Sequence, residues 1–354
     1  MSRRSCLVLA ALWLAALHIG AIAAGFIAPG DYAEQNRASA FAPPTRLHFV
    51  DLLGRVHVRP FVCRWSAYPG TLLYSEDCSH LFPLQFFVTG TRYHLFGVVE
   101  SRTHLFGVPR PAHIYLMGTD DFGRDQFTRF LYGAQLSLFS GLFACAISLT
   151  LGIILGTLAG YYRGWADGAI MGAADLSLAL PWLYLLLIAR ALLPLNTSPR
   201  AVFLTVVTII GVVGWARPAR LIRNTVLTAA ERGYVILAKS FGGSDLDVLL
   251  THIMPQIRPV AMTQASLLIP RYILAEVVLS FLGLGVNEPT ASWGNLIKPL
   301  QQYSILSSYW RMSVPASLLL PTFLSYITIS INPSEAETAL TRQGARRVIC
   351  SVAE

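Results

Sequence analysis

Lysine is nearly missing from this chain: among 354 residues only Lys239 and Lys298 carry that side chain. Neither closes a phosphate-cradling Gly-x-x-x-x-Gly-Lys-Ser/Thr loop, because Ala238 precedes Lys239 and Pro299 follows Lys298. His-Glu-x-x-His and Gly-x-Ser-x-Gly are also missing, which removes the usual zinc-protease helix and nucleophile elbow. Charge of either sign is scarce, at 13% of residues against roughly 25% in soluble domains. An enzyme of the common hydrolase or NTPase types is excluded on these grounds. If the protein uses ATP, another chain must hold the nucleotide and its Mg²⁺, and no cofactor is expected on this one.

What fills the chain instead is apolar: 54% of residues are hydrophobic. Residues 5–30, 130–162 and 312–334 run for 26, 33 and 23 positions without Asp, Glu, Lys or Arg. A helix needs about 20 apolar residues to cross a bilayer, so each run holds one span. Stretches 169–189 and 260–283, which carry one and two charges, and the shorter charge-free stretch 201–216 read as three more. The expectation is an all-α polytopic membrane protein with six transmembrane helices.

Arginines in the short loops set the orientation. Arg3 and Arg4 precede the first span and Arg163 follows the second. Arg217, Arg220, Arg223, Arg232 and Lys239 follow the fourth, and Arg342, Arg346 and Arg347 follow the sixth. Alternating spans place all of these on one side, which the positive-inside rule makes the cytoplasm, with both termini there. Loop topology and anionic lipid account for the net charge of +8, so no nucleic-acid partner is implied. A cleaved signal peptide is the competing reading of residues 1–30; its apolar run is longer than such peptides usually carry.

Residues 31–112 have another character and read as a small β-rich extracytoplasmic insertion after the first helix. The stretches beginning at Arg46, Arg55 and Leu84 alternate or cluster like short strands, with turns at residues 51–54 and 69–70. His94-Leu-Phe-Gly-Val98 recurs as His104-Leu-Phe-Gly-Val108, suggesting two similarly built strands. Cys63 and Cys78 lie here, where disulfides persist; a bridge and two unpaired thiols are both open. Six histidines (His48, His57, His80, His94, His104 and His113) lack the close spacings of metal sites and read as edge-facing strand residues.

Between the fourth and fifth runs lies a polar island, residues 234–255. Leu227, Tyr234, Leu237, Ala238 and Phe241 fall on one helix face, and Gly242-Gly243 supplies the positive φ that ends helices. Ser244 with Asp247 reads as a capping box opening a second short helix, which Pro255 breaks. A helix–glycine turn–helix on one side of a membrane suits docking by a soluble partner. Inside the spans, Asp175, Arg271 and Glu276 are costly and call for partners across helix contacts. Gly152, Gly156 and Gly160 give small-xxx-small spacing, which permits close helix approach.

Several stretches, in order over residues 113–330, resemble the permeases of peptide- and nickel-type ABC importers. They are Leu116-Met-Gly118-Thr119-Asp120-Asp-Phe-Gly123-Arg124-Asp125, Tyr132-Gly-Ala-Gln-Leu-Ser-Leu, Gly160-Tyr-Tyr-Arg-Gly-Trp-Ala-Asp167, Gly214-Trp-Ala-Arg-Pro-Ala-Arg-Leu-Ile-Arg223 and Leu279-Ser-Phe-Leu-Gly-Leu-Gly-Val286 with Ser292-Trp293-Gly294-Asn295. The resemblance implies a type I importer core over residues 113–332, a cytoplasmic coupling loop at 217–258 and a cytoplasmic tail at 333–354. It also implies a bacterial inner membrane and four partners: a second permease subunit, two ABC ATPase subunits and an extracytoplasmic solute-binding protein. Transport would proceed by alternating access, with short peptides as the implied solute. The family's Glu-Ala-Ala triplet aligns with Ile236, Leu237 and Ala238, so its acid is missing here. Tyr234, Gly242, Ser244, Asp245, His252 and Pro255 complete the implied coupling element. Residues 118–125 and 293–295 would mark the extracytoplasmic side. The closing stretch Asn332-Pro-Ser-Glu-Ala-Glu-Thr-Ala-Leu340 departs from the family pattern. A secondary transporter or channel, and a non-transporting membrane scaffold or receptor, remain as alternatives on the residues alone.

Overall fold

The structure is a computed structural model that describes residues 3–51, 53–68, 71, 73–95, 99–182, 184–185, 187–188, 194 and 197–330. Its helical part is built from α1 (Arg3–Ile22), α2 (Gln126–Tyr162), α3 (Gly164–Ala179), α4 (Pro199–Val213) and α5 (Ala216–Ala230). After these come α6 (Gly233–Ser240), α7 (Asp245–Val248), α8 (Met254–Phe281) and α9 (Val314–Ser330). Among the described residues, five helical passages are long and apolar enough to cross a membrane: Ser5–Ile22, Gln126–Tyr162, Ala201–Ala230, Asp245–Phe281 and Trp310–Ser330. The sixth expected span, 169–189, is helix to Ala179 and again at residues 182, 184, 185, 187 and 188, with 183, 186 and 189 outside the described residues.

The long α2 is the central post. Its Asp125 N-cap accepts bonds from the N–H groups of Phe127 (3.2 Å) and Thr128 (3.0 Å), which satisfies donors left open at a helix start. Gly152, Gly156 and Gly160 make the contact with α5 possible. A Cβ at these positions would meet Pro218 at 2.9 Å, the Ala219 carbonyl at 2.5 Å and the Arg223 carbonyl at 2.8 Å. Small residues let the two backbones touch, which is how helices associate where lipid is as apolar as the side chains.

Prolines in the last two long helices are accommodated rather than helix-ending. Pro270 leaves the Ser266 carbonyl without its helical donor, and the Ser330 hydroxyl of α9 donates to it at 2.8 Å. Pro255, expected to break the second short helix, instead sits in the first turn of α8. The five-residue π turn Leu249–Ile253 joins α7 to α8, so residues 245–281 are one helical passage. The wider π turn gives the proline ring clearance from the preceding carbonyl.

The segment after α1 carries strands β1 (His48–Val50), β2 (Val56–Ala67) and β3 (Tyr74–Pro83) in an antiparallel sheet of that order. Strands β4 (Gln85–Leu95) and β5 (Val99–Gly107) form a separate hairpin. A disulfide joins Cys63 on β2 to Cys78 on β3. The two His-Leu-Phe-Gly-Val repeats fall on β4 and β5, but Val88, not His94, faces His104 in the register, and residues 96–98 lie outside the described set. His104 is buried rather than edge-facing: its Nδ1 lies 2.6 Å from the Ala28 carbonyl and its Nε2 3.0 Å from that of Thr91. The histidine thereby pins the hairpin to the end of the first helical segment. His48 and His57 meet Glu76 and Asp51 at 3.0 and 3.3 Å. The turn expected at 69–70, Cys350 and the closing stretch at 332–340 lie outside the described residues.

Candidate functional site: a docking element and its tethers

The polar island forms the pair α6–α7. Gly242 adopts φ +84°, its N–H donates to the Lys239 carbonyl at 3.0 Å, and the Gly243 N–H donates to the Ala238 carbonyl at 3.0 Å. This bond pair is a Schellman closure, which only a residue free to take positive φ makes without strain. Ser244 then caps α7 by accepting from the Asp247 N–H at 3.2 Å. The turn therefore comes from glycine and serine, as the sequence suggests.

Of the apolar face read from the sequence, Tyr234, Leu237 and Phe241 are exposed and Ala238 is partly covered. Leu227 belongs to α5, separated from α6 by a break at residues 231–232. Val235 is the buried side chain of α6, and with Val248, Ile253 and Ile257 it joins a cluster on α5, against which Ala238 is packed. Tyr234, Ile236, Leu237 and Phe241 stay exposed, Phe241 at 87%, and Leu246 and Leu250 beyond the turn do as well. The helical period alone does not say which apolar stripe the bundle claims. Here the smaller Val235 and Ala238 go inward and the bulky side chains are left facing out. His252, in the π turn, lies 6.0 Å from the Tyr234 ring.

Tethers that the sequence does not reveal fix this element to the Tyr162 end of α2. The Tyr161 hydroxyl donates to Asp245 Oδ1 at 2.5 Å, Lys239 Nζ lies 3.5 Å from the same oxygen, and Lys239 also sits 4.3 Å above the Tyr161 ring. Glu231, the acid nearest the altered triplet, is engaged within the chain by Arg163 at 2.8 Å. Arg223 grips Asp167 with two bonds of 2.5 Å, and Arg220 pairs with Asp175, so α5 is tied to α3 as well. Apart from Lys239–Asp245, each pair is far apart in sequence, and no local pattern announces it.

At the Gln126 end of α2 lies a second constellation. Asp120 Oδ2 accepts from Arg124 Nε at 2.7 Å, while its Oδ1 accepts from the Phe122 and Arg124 N–H groups at 3.0 and 2.9 Å. Glu288, after α8, receives Arg124 Nη1 at 2.5 Å and Arg129 Nη2 at 3.0 Å. Gly118 and Gly123, at φ +80° and +73°, bring this loop against the backbone of residues 36–44, where a Cβ would collide. Thr119 bridges the same segment, its hydroxyl donating to Ser39 and accepting from the Ala42 N–H. Loss of solvent pushes Asp125 up to about 6, although its bonds to Thr128 pull the other way. Trp293 is buried against Phe130, Gly294 lies against the Val277 carbonyl, and Asn295 Nδ2 donates to the Val286 and Thr290 carbonyls at 2.8 and 3.1 Å. Within the 118–125 loop, Asp121 and Phe122 are the exposed residues.

Glu276 accepts from Ser280 on its own helix at 2.7 Å, and Ser137 of α2 and Ser292 also approach its carboxyl, so it does meet polar groups across a helix contact. Among the described residues no ion-pair partner stands beside Arg271. No group of three or more metal-ligating side chains occurs among the described residues either.

Comparison with known proteins places this architecture in company. The model of the family described as "binding-protein-dependent transport system inner membrane component" matches residues 152–331. The chain is 32% identical over 216 residues to the dipeptide transport system permease protein DppC of Bacillus subtilis, covering 61% of this chain and 66% of that one. It is 32% identical over 228 residues to the oligopeptide transport system permease protein OppC of the same organism, covering 64% and 72%. A putative peptide transport system permease protein of Brucella suis is 37% identical over 205 residues, covering 58% and 67%. The matched stretches span about two thirds of the length of these relatives.

Proposed function

We propose, for a chain that belongs to the family of binding-protein-dependent transport system inner membrane components, the role of a permease subunit in an ATP-driven importer of short peptides. It is a multi-pass membrane protein of the peptide ABC permease type. In this reading a second permease subunit completes the pathway, and two ATPase subunits bind ATP and Mg²⁺. An extracytoplasmic binding protein delivers the solute. Both termini and the α6–α7 element face the cytoplasm, and the strands β1–β5 face outward. Relatives named for di- and oligopeptides support the choice of solute.

The observation that carries the reading is the α6–α7 pair. It turns a row of bulky apolar side chains outward from Tyr234 to Leu250 while remaining anchored through Val235, Val248 and Tyr161. A single Phe side chain taken from water into a partner groove contributes about 1.5–3 kcal/mol, so Phe241 and Leu237 supply a grip without the family's acid. When the ATPases close, the element moves as a lever. Force reaches α2 through Asp245–Tyr161 and α8 through the unbroken passage of residues 245–281. The helix bundle then rocks between inward- and outward-open states.

Phe241→Asp tests the grip, since it puts a charge where an apolar contact is needed, at a side chain that is 87% exposed. Co-purification of the ATPase subunits with the permease pair should be lost while membrane insertion is retained. Undiminished co-purification would refute the docking role.

A further inference from the structure

A cavity of about 370 Å³ opens between the end of α3, α4, α5 and α8, within the range of roughly 300–1,000 Å³ that small-ligand pockets occupy. Its walls are mostly apolar and include Leu180, Trp182, Ile210 and Val213. Two cations, Arg217 at the start of α5 and Arg271 on α8, line it together. Helix contact fixes their proximity: a Cβ at Gly214 would strike the Tyr272 hydroxyl, so the first turn of α5 lies directly on this level of α8.

Among the described residues neither arginine has an ion-paired acid beside it. Asp175, the nearest acid on α3, is taken by Arg220, and Glu276 is buried and bonded to Ser280. Among the described residues no carboxylate lies within ion-pair distance of Arg217 or Arg271. Tyr272, beside them, spends its hydroxyl on Ser148 at 2.8 Å. Arginines within membrane-crossing helices face a partner or a water-filled path rather than lipid, because an unpaired charge in hydrocarbon is costly. Two guanidinium groups sharing one apolar-walled cavity also repel each other until an anion stands between them. Guanidinium favours planar, two-oxygen anions, which carboxylates are.

We propose that Arg217 and Arg271 form a carboxylate-binding station on the translocation path, which for a peptide solute receives the C-terminal carboxylate. This rests on the importer reading above and adds to it the solute group that the membrane subunit itself recognises. The neighbouring apolar walls contact side chains without selecting them, while the arginines fix the orientation in which the peptide passes.

The test uses the complete complex in proteoliposomes, supplied with saturating binding protein whose affinity for each solute has been measured separately. ATP-driven uptake of a labelled dipeptide is compared with uptake of its C-terminal amide. In the unaltered complex the free acid should be favoured by about tenfold, the size of one charge-assisted hydrogen bond. Arg271→Gln and Arg217→Gln should each collapse that acid-to-amide ratio toward one, and Arg271→Lys should restore part of it. An unchanged ratio in both Gln variants overturns the proposal. So does a ratio that follows the phosphatidylglycerol content of the vesicle, which would make the anion a lipid headgroup. Failure of the unaltered complex to take up either solute with ATP overturns the importer reading itself, a result distinct from uptake without carboxylate preference.

Discussion

Tyr161, at the last turn of the longest helix, donates a 2.5 Å hydrogen bond to Asp245, which lies 84 residues later at the first position after the Ser244 cap. That bond joins the exposed α6–α7 pair to the helix around which the bundle packs. Tyr161→Phe removes the donor and keeps the ring under Lys239. The expected outcome is a protein that inserts normally but transports fewer peptides per ATP hydrolysed, by about threefold to tenfold, less than the full value of a bond to a charged group because this pair is exposed to solvent. Parallel measurement of hydrolysis and uptake checks this; an unchanged ratio would show that the tether carries no force.

Gly242→Pro attacks the turn itself. Proline forbids φ near +84° and deletes the N–H that bonds Lys239, so α6 loses its closure and α7 its entry angle. ATP hydrolysis should persist while uptake falls to background, with membrane insertion intact. Normal coupled uptake in this variant would show that the geometry of the turn is dispensable.

Gly156→Leu should act elsewhere, on assembly of the bundle. Even a single added Cβ would sit 2.5 Å from the Ala219 carbonyl, so the larger side chain must force α2 and α5 apart. Overpacking of this kind costs typically about 1–3 kcal/mol and occasionally more. The thermal midpoint of the purified permease should fall, and Gly172→Leu, at a glycine whose Cβ would meet open space, serves as the control that leaves it in place. Equal midpoints for the two variants would contradict the close α2–α5 contact.

Asp125 gives a pH dependence with a definite sign. Its folded value of about 6 lies above the ordinary 3.8, so the folded state favours the protonated carboxyl. That contribution is fully present below pH 3.8 and is lost as pH rises through 6; across the window it amounts to at most about 3 kcal/mol. Asp125→Asn keeps a good helix cap and removes the titration. The variant should therefore show a flatter stability profile between pH 4 and 6 than the parent, by thermal unfolding in detergent. Parallel profiles would place the ionised cap in a better solvated setting than the fold implies.

Much of this was legible in the residues. Charge-free runs mark four of the five apolar passages outright or in part, and the glycine ladder on α2 marks the α5 contact. Gly242 with Ser244 marks the turn to within a residue, because positive φ and an N-cap are local requirements with few solutions. What the sequence hides is non-local. Tyr161–Asp245, Arg163–Glu231 and Arg223–Asp167 join positions 84, 68 and 56 residues apart, and an exposed arginine reads the same whether or not it has a partner. Pro255 misleads because proline ends an α-helix in isolation, whereas a π turn ahead of it lets the passage continue. Val235 is hidden for another reason: the helical period does not say which apolar stripe of α6 packs, and here the small one goes inward while the large one stays exposed.

The central claim is tested most directly by ATP-driven uptake of a labelled dipeptide into proteoliposomes assembled from this chain, the second permease subunit, the two ATPases and the binding protein. The account predicts uptake that requires every component and stops when this chain is omitted or its docking face carries Phe241→Asp. Uptake that continues without the ATPases, or none from the complete assembly, would contradict it.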